Sequence, residues 1–175
     1  MFSLQEQTAI LAHLNVRTER HGDEPAGGAD LKISFTTGNG ILSEFHPRLR
    51  HGLYKAEEAP NQAEMAVGEA LTERIYADLI DRVRLKHDLK GAKVLIGFGL
   101  GGSSDIQMDP VDVDGFQAEL HEGGSVTLTF RVKCHPTGEQ VKKLHEVLGN
   151  EITISVTPAI EKQGALGLNL EPEAA

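Results

Sequence analysis

The chain has 175 residues, with 39% apolar residues, 25% charged residues and a net charge of −9, ordinary values for a soluble domain long enough to build its own core. No apolar run approaches the ~18 residues of a membrane-spanning helix, and the opening MFSLQEQTAI has neither the basic nor the long apolar region of a secretory signal. One cysteine, Cys134, leaves no partner for an internal disulfide, so a cytosolic setting is expected.

Ile10, Ala12, Leu14, Val16 and Thr18 alternate with His13, Asn15, Arg17 and Glu19, and period two predicts a half-buried strand. His21-Gly22-Asp23-Glu24-Pro25 and Gly27-Gly28 interrupt it. Alternation resumes at Ala29, Leu31, Ile33 and Phe35 against Asp30, Lys32 and Ser34, which predicts a hairpin with a longish loop. Ile41, Leu42 and Phe45 predict a short helical turn limited by Pro47; Leu49, Leu53 and Tyr54 predict a second. Ala56 to Gln62 holds Pro60 and reads as a loop. Asn61 with Glu64 makes a capping-box pattern. Val67, Leu71, Ile75 and Leu79 at four-residue spacing predict a long helix over Ala63 to Asp81, with Arg74, Asp78 and Arg82 along its polar side as i,i+4 partners. The rival alternation through Ile75, Ala77 and Leu79 is broken by Asp81.

Beyond Val83 the pattern is β. Ala92 to Phe98 predicts an apolar strand, and Ile106 and Met108 a short one. Val111 and Val113 then oppose Asp112 and Asp114. After Gly115 the parity flips to Phe116, Ala118 and Leu120, the signature of a β-bulge at the glycine. Glu122-Gly123-Gly124 turns the chain into Val126, Leu128, Phe130 and Val132. Thr137 and Gln140 open a second helix with Val141, Leu144, Val147 and Leu148 as its stripe, ended by Gly149-Asn150. Ile152, Ile154 and Val156 form a last strand. The expected fold is mainly β (α+β): an antiparallel β-sandwich or open barrel of about seven strands with two packed helices. One domain is expected over 1–157, with a helical insert at about 61–82 and a weakly ordered tail over 158–175.

The chemical motifs are incomplete. Gly97, Gly99 and Gly102 satisfy G-x-G-x-x-G after an apolar strand, but alternating Val and Asp follow where a dinucleotide site needs a helix. Asp112-Val113-Asp114-Gly115 resembles part of a calcium loop, yet Pro110 and His121 occupy ligand positions. Of eight histidines, none has H-E-x-x-H or C-x-x-C company; a metal site would have to be assembled from distant segments, for example His21 with Asp23 and an acidic strand residue. Cys134 precedes Pro136 at a strand end and reads as a packing residue. No cofactor is expected.

Charge is unevenly distributed. Val94 to Phe130 contains no Lys or Arg but six acids: Asp105, Asp109, Asp112, Asp114, Glu119 and Glu122. Asp105, Asp109, Asp112, Asp114 and Glu119 are therefore the candidate acidic binding face, for a basic partner. Arg82, Arg84 and Lys86 form the best basic patch. With no Trp and 5% aromatics, stacking platforms for single-stranded nucleic acid are scarce.

Two stretches, HGDEPAGGADLKISFTTGNGILSEFHPRLRHGLY and GFGLGGSSDIQMDPVDVDGFQAELHEGGSVTLTFRVKCHP, resemble a family of small uncharacterised proteins encoded by tailed phages and prophages. The resemblance rests on an E-G-G-x-V-x-x-x-F-R-V-type hairpin at Glu122 to Val132 and a G-x-G-G-x-S-D-type strand end at Gly99 to Asp105, and covers about half the chain. Asn61 to Asp88 departs from it. It implies phage origin and action in the host cytoplasm, and transfers no catalytic residue. The resulting expectation is a non-catalytic protein that binds a host or phage protein, acting on DNA metabolism or host defence through the acidic face. A tail or head component of the virion and a metal-dependent hydrolase using residues such as His21 and Asp105 are the alternatives. Self-association through edge strands is a further expectation, and a membrane partner is not expected.

Overall fold

The computed structural model describes residues 2–21, 24–56, 70–98 and 104–159. The two long opening strands, β1 (Leu4–His21) and β2 (Glu24–Gly38), form a hairpin. A 3-10 turn (Asn39–Glu44) and α1 (Leu49–Leu53) lead to β3 (Tyr54–Ala56). Next come β4 (Leu71–Arg74), β5 (Arg82–Arg84) and β6 (Leu89–Gly97). β7 (Ile106–Leu120) and β8 (Ser125–Cys134) form the second long hairpin. α2 (Gly138–Glu146) and β9 (Glu151–Thr157) complete the described chain.

Seven strands run in the order β5-β7-β6-β9-β1-β2-β8, and β7 also pairs with β8. All these pairings are antiparallel, and the β7–β8 pairing brings the sheet into a near-closed ring. The expected mainly β fold is therefore present in its barrel-like form. Extra residues at strand bends make the curl. At Gly115 the register steps from Asp114↔Arg131 to Gln117↔Thr129, one residue more on β7 than on β8. Gly115 takes φ 66°, a conformation open to glycine. Further register shifts fall at Leu4/Gln7 and Leu11/His13 in β1 and on both sides of Ala92 in β6, the devices that bend strands into a ring.

The inside of the ring is filled. Leu31, Ile33, Phe130, Val132, Val113, Phe116, Ile96 and Ile154 are among its fully buried residues, as in small barrels, where side chains close the interior. One end carries an aromatic cluster. Phe116 lies 4.9 Å from Phe2, 5.2 Å from Phe45, 5.6 Å from Phe130 and 5.5 Å from His87, ring centre to ring centre.

Two expectations require correction. The long helix of Ala63 to Asp81 is absent where the chain is described: Leu71–Arg74 is strand, paired with β3, and Ile75–Leu79 is a turn. Residues 57–69 lie outside the described chain. The four-residue spacing misled because its members do not share a buried face: Leu71 is buried, while Leu79 is 77% exposed. Arg74 bonds Asp81 at 2.9 Å and the carbonyl of Ile80, and Arg82 bonds Glu119; the predicted helical partner Asp78 takes part in neither. The hairpin loop at 21–28 is also shorter than expected. The β1–β2 ladder runs on to His21↔Glu24, with Pro25 opposite Arg20, beyond the stretch of β2 that meets β8.

The second helix is present with its expected cap, but it ends at Glu146, and of the expected buried stripe Leu144 is fully buried while Leu148 is 37% exposed. Thr137 Oγ1 accepts from Gln140 N at 3.3 Å and Gln140 Oε1 accepts from Thr137 N at 2.9 Å, the reciprocal cap read from the sequence.

Candidate binding face

With the inside apolar, chemistry is confined to the outside of the sheet. Outward residues of β1, β2, β8, β7 and β5 stand in rows set by register. Asn15 lies beside Asp30, and Asp30 beside Lys133. His13 lies beside Lys32, then Arg131 and Asp114 follow. Ser34, Thr129, Gln117 and Arg84 make the next row, and Thr36, Thr127, Glu119 and Arg82 the last.

The predicted acidic residues do not form an uncompensated acidic face. Asp112 is held by Lys90 at 2.7 Å, Asp114 by Arg131 at 2.8 Å and Lys133 at 2.6 Å, and Glu119 by Arg82 at 2.6 Å. The Lys/Arg-free run is neutralised from its neighbouring strands. Asp105 and Asp109 lie at the opposite end of β7 from Glu119. Asp109 is exposed, and Asp105 packs beside Gly97. Of the predicted basic patch, Arg82 and Arg84 project from β5, while Lys86 lies two residues beyond it. Arg17 pairs with Asp30 at the β1 margin. Among the described side chains of these rows five bases (Lys32, Arg82, Arg84, Arg131, Lys133) stand with four carboxylates (Asp30, Asp112, Asp114, Glu119), a slight excess of bases on a negative protein.

An open depression of about 570 Å³ lies at its centre, lined by His13, Asn15, Asp30, Lys32, Arg84, Gly115, Gln117, Thr129, Phe130 and Arg131. A second, of about 290 Å³, shares Lys32, Gln117 and Thr129 and adds Ser34, Arg82, Glu119 and Thr127. Hydroxyls pave the floor: Thr36 and Thr127 share a hydrogen bond of 2.8 Å, and Thr129 donates to Ser34 at 3.3 Å. With its amide oxygen turned toward the guanidinium, Gln117 accepts from Arg82 Nε at 2.7 Å. Lys32 and Arg84 face the same hollow, and neither has an ion-pair partner among the described residues. Sequence reading singled out Arg84 and passed over Lys32, Gln117, Thr129 and Arg131. The available signal was the shared polar parity of β2 and β8, which carries meaning only once the two are known to be neighbours.

The ion pairs shift the carboxyls they hold. Lys90 bonds Asp112 and keeps it below its ordinary value. Burial pushes Asp114 up, but hydrogen bonds from Arg131 and Lys133 outweigh it, so its carboxyl is also lowered. The resulting stabilisation is fully present above the ordinary carboxylate value of 3.8 and is lost as pH falls through the lower folded values. Urea denaturation from about pH 7 to about pH 2.5 is expected to show stability falling at the acid end. Asp114→Asn should flatten that fall and cost about 1 kcal/mol near neutrality. An unchanged acid limb would remove Asp114 from the cause.

Other candidate groups take structural places. Burial pushes the Cys134 thiol up to about 11, so it stays protonated near neutrality, and its Sγ lies 3.6 Å from the Ala29 carbonyl. Asp112 and Asp114 sit on an extended strand with Val113 buried between them, rather than on a loop that wraps an ion. Among the described residues no three His, Cys, Asp or Glu side chains converge on one ion position. Asp23 and Gly99 to Gly102 lie outside the described chain, as does the side chain of His21. No family model, curated protein or solved structure matches the chain.

Proposed function

We propose that this protein binds another protein through the outer face of its sheet, and that binding, without catalysis, is its function. The observation that carries the reading is the polar hollow in which Lys32 and Arg84 have no ion-pair partner among the described residues, set on a barrel whose inside is filled with apolar side chains. The partner offers carboxylates there. A continuous polyanion fits less well, because Asp30, Asp114 and Glu119 interrupt the bases and the rows present no Phe, Tyr or Trp side chain for base stacking. The phage provenance implied by the quoted segments, and action inside a host, belong to the same proposal.

Pull-down from bacterial lysate at low salt tests it, with wild type compared against Lys32→Glu/Arg84→Glu. Both side chains are exposed, so the double variant should fold, as circular dichroism will check. A stoichiometric protein should be recovered by wild type, at least about tenfold less by the variant, and less by both as salt rises. Recovery of nucleic acid in place of protein, or equal recovery by both forms, would sink the reading.

A further inference from the structure

β1 pairs with β2 from Ile10 to His21, but on its other edge it meets β9 only from Leu4 to Ile10, with Leu11 bonded to Gly149 and Asn150. Beyond Leu11, residues 12–18 have no ladder partner on that edge among the described residues. An unpaired strand edge presents a row of N–H and C=O groups to any extended chain, and this one carries neither Pro nor Lys between 12 and 18. Its two faces differ. His13, Asn15 and Arg17 project on the outer side, next to Lys32 and the hollow. Leu14 and Val16 project on the other, where Val16 is 53% exposed.

We infer that this edge receives an extended segment of the protein partner as an added strand, with acidic residues alternating with aliphatic ones. The inference rests on the reading of the protein as a partner-binding module and supplies the mode of docking. Main-chain bonds along β1 give such a strand its hold, and alternate side chains give it selectivity. Its acidic residues lie beside His13, Arg17 and Lys32, the described bases next to this edge. Its aliphatic residues cover Val16 and Leu14. Seven residues of edge span roughly 23 Å. A second copy of the chain is a poorer occupant, since pairing β1 with itself would set His13, Arg17 and Lys32 against their own likeness.

The test uses a fluorescein-labelled octapeptide of alternating Glu and Val, blocked at both ends. Two further versions are N-methylated on every Glu or on every Val. Anisotropy should show binding by the parent peptide, and hydrogen exchange should show new protection within 12–18. Only one edge of an added strand faces β1, so one methylated version should weaken by about tenfold or more while the other binds nearly as the parent. Val16→Asp, at an exposed position, should weaken binding by a similar factor. No binding at millimolar peptide, no new protection in β1, equal binding by both methylated forms, or a wild-type dimer protected at β1 would each overturn the inference. If charge reversal at Lys32 and Arg84 abolishes protein recovery but β1 never gains protection, the outer face stands and the edge falls. If β1 gains protection while charge reversal changes nothing, the edge stands and the hollow falls.

Discussion

Phe116→Ala is expected to cost about 3–5 kcal/mol, among the largest losses from any single side chain here. The ring is fully buried and sits at the middle of the aromatic end of the barrel, against Phe2, Phe45, Phe130 and His87. Its removal leaves a cavity whose neighbouring rings are already packed on one another, Phe2 on Phe45 at 5.1 Å and Phe45 on His87 at 5.4 Å. A domain of this size has a net stability of about 5–15 kcal/mol, so the variant should lie close to unfolding at physiological temperature. Equilibrium denaturation measures it: the midpoint should fall sharply with little change in slope. A loss under about 1 kcal/mol would mean that the aromatic end does not pack as described.

Phe116 also marks where sequence reading succeeded. Its inward position follows from Gly115: the extra residue turns Phe116, Ala118 and Leu120 inward after Val111 and Val113, and the flip in parity is visible in the sequence itself. The β7–β8 hairpin and the cap of α2 were legible for the same reason, since each is set by residues within a few positions of one another. What failed had a non-local cause. Leu71, Ile75 and Leu79 satisfy a helical period, but Leu71–Arg74 becomes strand because β3 offers it a ladder and Arg74 ties the following turn to Ile80 and Asp81.

The candidate face shows the same limit more sharply. Parity along β7 placed Asp112 and Asp114 on one side, and Glu119 joins them through the bulge. That much was readable. Their charge was not, because Lys90, Arg131, Lys133 and Arg82 arrive from β6, β8 and β5. A run of acids in the chain is an acidic surface only if its neighbouring strands leave it so. Here they do not, and the bases left over, Lys32 and Arg84, belong to two strands that no local pattern connects.

Gly124→Ala is expected to cost about 2–5 kcal/mol, against about 1 kcal/mol for Gly123→Ala one residue earlier. Both glycines have positive φ, 78° at Gly123 and 77° at Gly124, so both substitutions carry the same backbone strain. They differ in what a methyl group meets. At Gly123 nothing lies within 4 Å; at Gly124 the new carbon would stand 2.7 Å from the Leu71 carbonyl oxygen and 3.2 Å from Asn39 Nδ2. That oxygen cannot move freely, since it accepts from Asn39 Nδ2 at 2.6 Å, and Asn39 Oδ1 in turn accepts from Arg50 at 2.8 Å. Tyr54 adds a second tie, donating to the Ser125 carbonyl at 2.9 Å. The Gly124 turn is thus where the β3–β4 pair is fastened to the end of the β7–β8 hairpin. Denaturation of both variants isolates the cost of the close approach as their difference. Faster hydrogen exchange at Ile75, whose amide bonds Leu53, should accompany it in Gly124→Ala alone. Equal losses in the two variants would show that the turn strain, and not the contact with Leu71, sets the requirement for glycine.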